Sequence, residues 1–186
     1  MPTSYFESVY CSDPDPWGFE TSRYEQRKYD ITVAVLPQDR YRRGLEPGCA
    51  NGVLTERLAE RCDELFAFDH MAEPISRARR RMADHDHVHV LEAVFPTYLP
   101  AGRGDLVVWS EVAYYLDERD AQRALQALER WLEPGGTLVA VHYTGETNYP
   151  RTARQVHDSL DDVAWLERHC THDDAGFSLG VWRRRP

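Results

Sequence analysis

The sequence predicts an α/β fold, a doubly wound, mostly parallel sheet with helices on both faces and an antiparallel C-terminal hairpin. Three observations carry this. Strand-like segments alternate with segments of helical periodicity, and right-handed crossovers between parallel strands must carry their helices over the sheet. At 46–52 a strand runs into a glycine-containing turn and then a helix, the unit from which such sheets are built. Near the C-terminus two strand-like segments are joined by only the polar link 172–176, which is too short for a crossover helix and suits a hairpin.

Taken in order, Ser22 stands three residues before Glu25, the spacing of a capping box, so a helix is expected from 22 to 36 and is stopped by Pro37. Residues 41–46 read as a strand that ends at Pro47-Gly48, and 53–62 carries apolar residues at helical spacing. The alternation repeats as strand 64–69, arginine-rich helix 73–83, strand 88–94, buried strand 105–110 and helix 117–132. A turn at Glu133-Pro134-Gly135-Gly136 leads into strand 137–143. A helix is expected around 151–157, and 163–171 with 177–183 form the closing hairpin. Residues 1–186 read as a single domain.

Composition narrows the function classes. A hydrophobic content of 42% supports one substantial core, and a net charge of -9 points away from a nucleic-acid backbone as partner. No basic leader precedes an apolar stretch and no apolar run is long enough to span a bilayer, so a soluble, cytoplasmic chain is expected. Cys11, Cys49, Cys62 and Cys170 are scattered, which suits packed thiols and no metal knot or disulfide framework. His85, His87 and His89 would share one face of an extended strand, but they lie at a strand entrance away from the expected crevice and read as a solvated edge. The arginines at 77–81 and 183–185 likewise read as solvated faces. Lys28 is the single lysine among 22 basic residues.

The strongest local signal is Glu46-Pro47-Gly48-Cys49-Ala50-Asn51-Gly52. Small residues there let backbone approach a ligand in the crevice at the carboxyl ends of the strands. Asp69, at the end of the next strand, can accept hydrogen bonds from both hydroxyls of a ribose. A dinucleotide fingerprint needs G-x-G-x-x-G, but here the glycines are Gly48 and Gly52, with Ala50 between and Leu54 beyond, and Glu46 would repel pyrophosphate while suiting the ammonium of an amino-acid tail. The site is therefore expected to take S-adenosylmethionine.

The loop 46–52 resembles the first motif of Rossmann-like S-adenosylmethionine-dependent methyltransferases, and Asp69 the second. Asp15-Pro16-Trp17, the run 24–29, the run 110–116, His142-Tyr143 and Val156-His157 are similar to the nodulation protein S (NodS) type, over nearly the whole chain. The resemblance implies methyl transfer to a small-molecule acceptor, with an amine, as in the amino sugar of NodS itself, favoured over a hydroxyl. It places cofactor contacts at Trp17, Tyr24, Arg27 and Glu46 and along the loop at Gly48, Cys49, Ala50 and Gly52. Asp69, His70, Val94, Phe95 and Ser110 complete them. Residues 1–37 would form a lid carrying Trp17 and Tyr24 over the sulfonium.

Two departures from the family pattern stand out. Ala50 replaces the middle glycine, and Val94 stands where an acidic residue often meets adenine, leaving that ring to backbone groups and Phe95. The acceptor is expected among Glu111, Tyr114, Tyr115, Tyr143 and His157. Glu111 would hold an acceptor ammonium or take its proton, and His142, titrating near neutrality, would act as base. Rival readings are a non-catalytic cofactor-binding module and a nicotinamide oxidoreductase.

Overall fold

A computed structural model describes residues 1–186. Its seven-stranded sheet runs in the order β3-β2-β1-β4-β5-β7-β6, with β1 Tyr41–Pro47, β2 Cys62–Asp69, β3 Val88–Glu92, β4 Gly104–Ser110, β5 Leu132–Tyr143, β6 Leu166–Asp173 and β7 Phe177–Arg184. The first five strands pair in parallel, and β7 lies antiparallel between β5 and β6. The direction of strand order reverses between β1 and β4, which opens a crevice at their carboxyl ends.

Both faces of the sheet are buried, which is why its central strands are continuous apolar runs. In β4, Leu106 and Val108 face a core shared with helices α2 Arg23–Ala34 and α3 Val53–Ala59, through Tyr29, Leu54 and Leu58. Val107 and Trp109 face the opposite core, with Leu128 and Trp131 of α5 Glu118–Trp131 and Val156 and Leu160 of α6 Ala153–Asp161. Two further helices, α1 Thr3–Ser12 and α4 Ala72–Arg81, complete the set. No helix is long and apolar enough to cross a membrane.

Several local expectations are corrected. Ser22 is the N-cap of α2 but its side chain makes no capping bond, and the Glu25 side chain turns inward to Lys28 and does not reach back to the Ser22 N–H. The reciprocal box forms instead at α6, between Thr152 and Gln155. Helix α3 stops at Ala59, since Cys62 is already paired with Tyr41 in the sheet. The expected turn at 133–136 is absorbed into β5 as a bulge: Gly104 pairs with Leu132, but Leu106 pairs with Thr137. Strand β3 ends at Glu92, so Val94 lies in the following loop. Helix α1, for which the sequence pattern offers no signal, contains no buried residue.

Candidate active site

The carboxyl ends of β1 to β5 deliver Gly48, Asp69, Ala93, Glu111 and Tyr143 to one cavity of about 440 Å³, a size suited to a small-molecule ligand. Helix α1 and the loop after it close the cavity with Phe6, Tyr10, Trp17 and Phe19. Phe6 meets His70 and Tyr115 edge-on at 5.1 and 5.0 Å, and Trp17 stacks on Phe19 at 5.5 Å. The loop is tied down from outside: Glu20 accepts from Arg77 at 2.7 Å and Arg81 at 2.9 Å, and Arg81 also donates to the Asn51 carbonyl at 3.2 Å. The aromatic wall and the turn 46–52 are thereby braced against the same helix, α4.

The turn is built for close approach. Gly48 has φ +80° and a Cβ there would stand 2.1 Å from Val112, so only glycine fits. The Gly48 and Cys49 amides donate to the Phe68 carbonyl at 2.7 and 3.1 Å, which fixes the turn on β2. Ala50 adopts φ +46° and borders the cavity. Its N–H donates to Asp69 Oδ2 at 3.2 Å, while Oδ1 accepts from Met71 N–H at 3.1 Å. Oδ2 thus retains a lone pair for a ligand, and Oδ1, which also has His70 Nδ1 at 3.3 Å, lies beside it, so the carboxylate can still accept from a ribose hydroxyl. Val94, 55% exposed, and Phe95 form the wall beyond β3.

Glu111 follows β4 in a left-handed conformation, φ +56°, which costs about 1–3 kcal/mol for a residue with a side chain and persists only where its surroundings impose it. Here they do. Its N–H donates to Val141 at 2.8 Å; Oε1 accepts from Lys28 Nζ at 2.5 Å, and Oε2 accepts from the Tyr143 N–H at 3.0 Å and from the Tyr114 hydroxyl. Three of about four acceptor positions are filled by donors, and the remaining one is on Oε1 in the cavity wall. Burial, with Glu111 adding to it, keeps the Tyr114 phenol far above its ordinary range and hence a donor. Tyr115, Tyr143 and Tyr149 continue the wall, and Tyr143 is 41% exposed.

Other sequence-predicted residues stand elsewhere. Glu46 is 2% exposed and accepts from Thr55 Oγ1 at 2.6 Å; burial pushes its carboxyl up to about 7, and it does not border the cavity. Cys49 packs with Ala67 and Ile75, Gly52 packs on Ala78, and Ser110 is buried within the sheet. Arg27 points outward to pair with Asp174. His142 is corrected most sharply. It is fully buried beneath Tyr114, its Nδ1 lies 3.3 Å from His157 Nε2, and burial holds it well below its ordinary value, with His157 and Lys28 adding to the effect. A base titrating near neutrality is therefore not available there. His157, 5% exposed and lowered to about 4 chiefly by burial, packs on Trp182 and likewise lies outside the cavity wall.

Sequence reasoning missed Lys28, Glu25, Phe6, Tyr10 and Tyr149 as cavity residues. The one available signal was Lys28 itself, a lone lysine in an arginine-rich chain. No signal identified Phe6 and Tyr10, because α1 earns its place only through contacts with the cavity rim.

A family model described as nodulation protein S (NodS) matches residues 10–145. Nodulation protein S of Rhizobium tropici is 35% identical over 127 residues, covering 67% of this chain and 53% of that protein. The Sinorhizobium fredii protein is 34% identical over 127 residues, covering 67% and 59%. The matched part thus spans between half and three fifths of these curated relatives. The solved structure of the N-methyltransferase NodS from Bradyrhizobium japonicum WM9 with S-adenosyl-L-homocysteine has a TM-score of 0.85, 26% identity and 98% coverage of both chains. A chain from Pseudomonas syringae has a TM-score of 0.78 and 40% identity over 88% of this chain and 100% of that one.

Proposed function

Because this chain belongs to the nodulation protein S (NodS) family and has its Rossmann-like methyltransferase fold, we propose that it is an S-adenosylmethionine-dependent methyltransferase acting on the nitrogen of a small molecule. An amino sugar is the favoured acceptor, and the setting is cytoplasmic. The relative solved with S-adenosyl-L-homocysteine supports the cofactor. So does the fit of this chain's own residues: a backbone cradle at Gly48 and Ala50, an Asp69 carboxylate with spare acceptor capacity for the ribose, and the apolar Val94 and Phe95 on the cavity wall for the adenine ring.

When bound, S-adenosylmethionine supplies an electrophilic methyl group on a sulfonium. The residues around it have three tasks: to orient the acceptor, to exclude water and to favour the charge that the acceptor gains. Phe6, Trp17 and Phe19, on the part of the N-terminal segment that precedes α2, serve exclusion, and their aromatic faces suit a sulfonium. Glu111 serves orientation and charge. An amine that is alkylated becomes positive at nitrogen, and an anionic carboxylate with one free lone pair both holds its N–H and favours that charge.

The observation that carries the nitrogen preference is the occupancy of Glu111. A carboxylate already accepting from three donors has one acceptor position left, enough to take one N–H of a neutral amine and leave the nitrogen lone pair free for the methyl. Four carboxylates, Asp69, Glu25, Glu111 and Asp120, border the cavity against Lys28 and the Met1 amino terminus, an excess that favours a cationic ligand and opposes nucleic acid. The test is to incubate the protein with S-adenosylmethionine and glucosamine and to follow the product by mass. A gain of one methylene on nitrogen is expected, with equimolar S-adenosylhomocysteine. Methylation of hydroxyl-only sugars in preference to glucosamine would overturn the nitrogen assignment.

A further inference from the structure

Lys28 is the only lysine among 22 basic residues and the only basic side chain, lysine or arginine, that is buried, at 2% exposed. Its ammonium lies 2.5 Å from Glu111 Oε1 and 3.1 and 3.0 Å from the two oxygens of Glu25. Above it, the Tyr24 ring centroid is at 5.1 Å. A compact ammonium with three rotatable donors can bridge two carboxylates on different elements, whereas a planar guanidinium needs a longer, forked space. This accounts for a lysine surviving here in a chain that uses arginine everywhere else.

We propose that Lys28 is a positioning residue for amine methylation: its ammonium, bridging Glu25 and Glu111, supplies the positive charge beside Glu111 and fixes its carboxylate so that its one free lone pair meets the acceptor N–H. This rests on the reading of the chain as an amine methyltransferase. The groups facing Glu111 show why no other residue can take the role. From α2 come Lys28, Glu25 and the phenols of Tyr24 and Tyr29; from the 3-10 turn Ala113–Tyr115 come the phenols of Tyr114 and Tyr115. From β5 come the Tyr143 N–H and phenol, with His142 buried and neutral behind Tyr114. Lys28 is the single cation among them. Burial opposes its charge, but Glu111 and Glu25 overcome that cost and raise it above its ordinary value.

Without Lys28, Glu25 and Glu111 would be two neighbouring carboxylates with no cation, an arrangement in which one takes up a proton. A proton taken up by Glu111 would put an O–H where the acceptor needs a lone pair.

The experiment follows the Glu111 carboxyl itself by NMR on protein labelled at glutamate Cδ, with the resonance assigned by its loss in Glu111→Gln. In Lys28→Met the titration midpoint should rise by about 1–2 pH units. The acid limb of kcat/KM for glucosamine should move by the same amount, with activity recovering at higher pH. A merely structural lysine would lower activity equally at every pH and leave the midpoint where it was, which would overturn the proposal. Should Lys28→Met fail to fold, Glu25→Gln is compared with Glu25→Gln carrying Lys28→Met. This pair removes the cation without leaving Glu25 unpaired, and the same rise is expected. If wild-type protein does not methylate glucosamine, the acceptor reading fails, while the NMR midpoint still decides the role of Lys28.

Discussion

Asp69 shows how much a single side chain can reveal and withhold. Its position at the end of the second strand is evident from spacing alone, and the structure adds that each oxygen is steadied by one backbone N–H, from Ala50 and Met71, leaving capacity for a ribose hydroxyl. Hydrogen bonds to a charged acceptor contribute about 1.5–3 kcal/mol, so Asp69→Ala should weaken S-adenosylhomocysteine by about 10- to 100-fold while the chain stays folded. Unchanged affinity by calorimetry would remove Asp69 from the ribose. Glu46 is the opposite case. The same motif suggested a ligand carboxylate, but its side chain lies under the turn against Thr55, a direction that spacing along a strand does not encode beyond which face it occupies. His142 went astray for the same reason: period-two alternation puts it on the α6 face with Leu138 and Ala140, and only the packed structure shows that face to be closed.

At the scale of elements, β5 and α6 meet through His142 and His157, 3.3 Å apart and both buried. Both are held below their ordinary value of 6.5, His157 to about 4 and His142 well below, so both are neutral in the folded chain at pH 7. The unfolded chain binds those protons first as pH falls, so the stability they contribute is complete above about 6.5. For His157 it is lost progressively down to about 4. Urea unfolding midpoints measured across that window should therefore fall, and His157→Gln should flatten the fall. Equal slopes in both proteins would show that the pair is not responsible. The elements themselves were legible where period and punctuation agree, as in α3, β4 and α5. They were less so where tertiary contacts decide. Helix α1 has no buried face to create a periodic pattern, and residues 133–136 carry turn chemistry that the sheet uses as a bulge.

At the scale of the molecule, the reversal of strand order between β1 and β4 gathers a glycine turn, a ribose-competent aspartate and a lysine-held glutamate into one cavity under an aromatic lid. The architecture and its crevice could be read from the sequence because alternation and crossover handedness leave few topologies open. The charge arrangement inside could not, since Lys28 and Glu111 are far apart in sequence and meet only through α2 crossing the sheet. The central claim is that this crevice takes a sulfur nucleoside, and its most direct test is calorimetric titration of the purified protein with S-adenosylmethionine, S-adenosylhomocysteine and NAD. Micromolar binding of both sulfur nucleosides with no heat from NAD is the predicted result; binding of NAD, or of neither sulfur nucleoside, would contradict it.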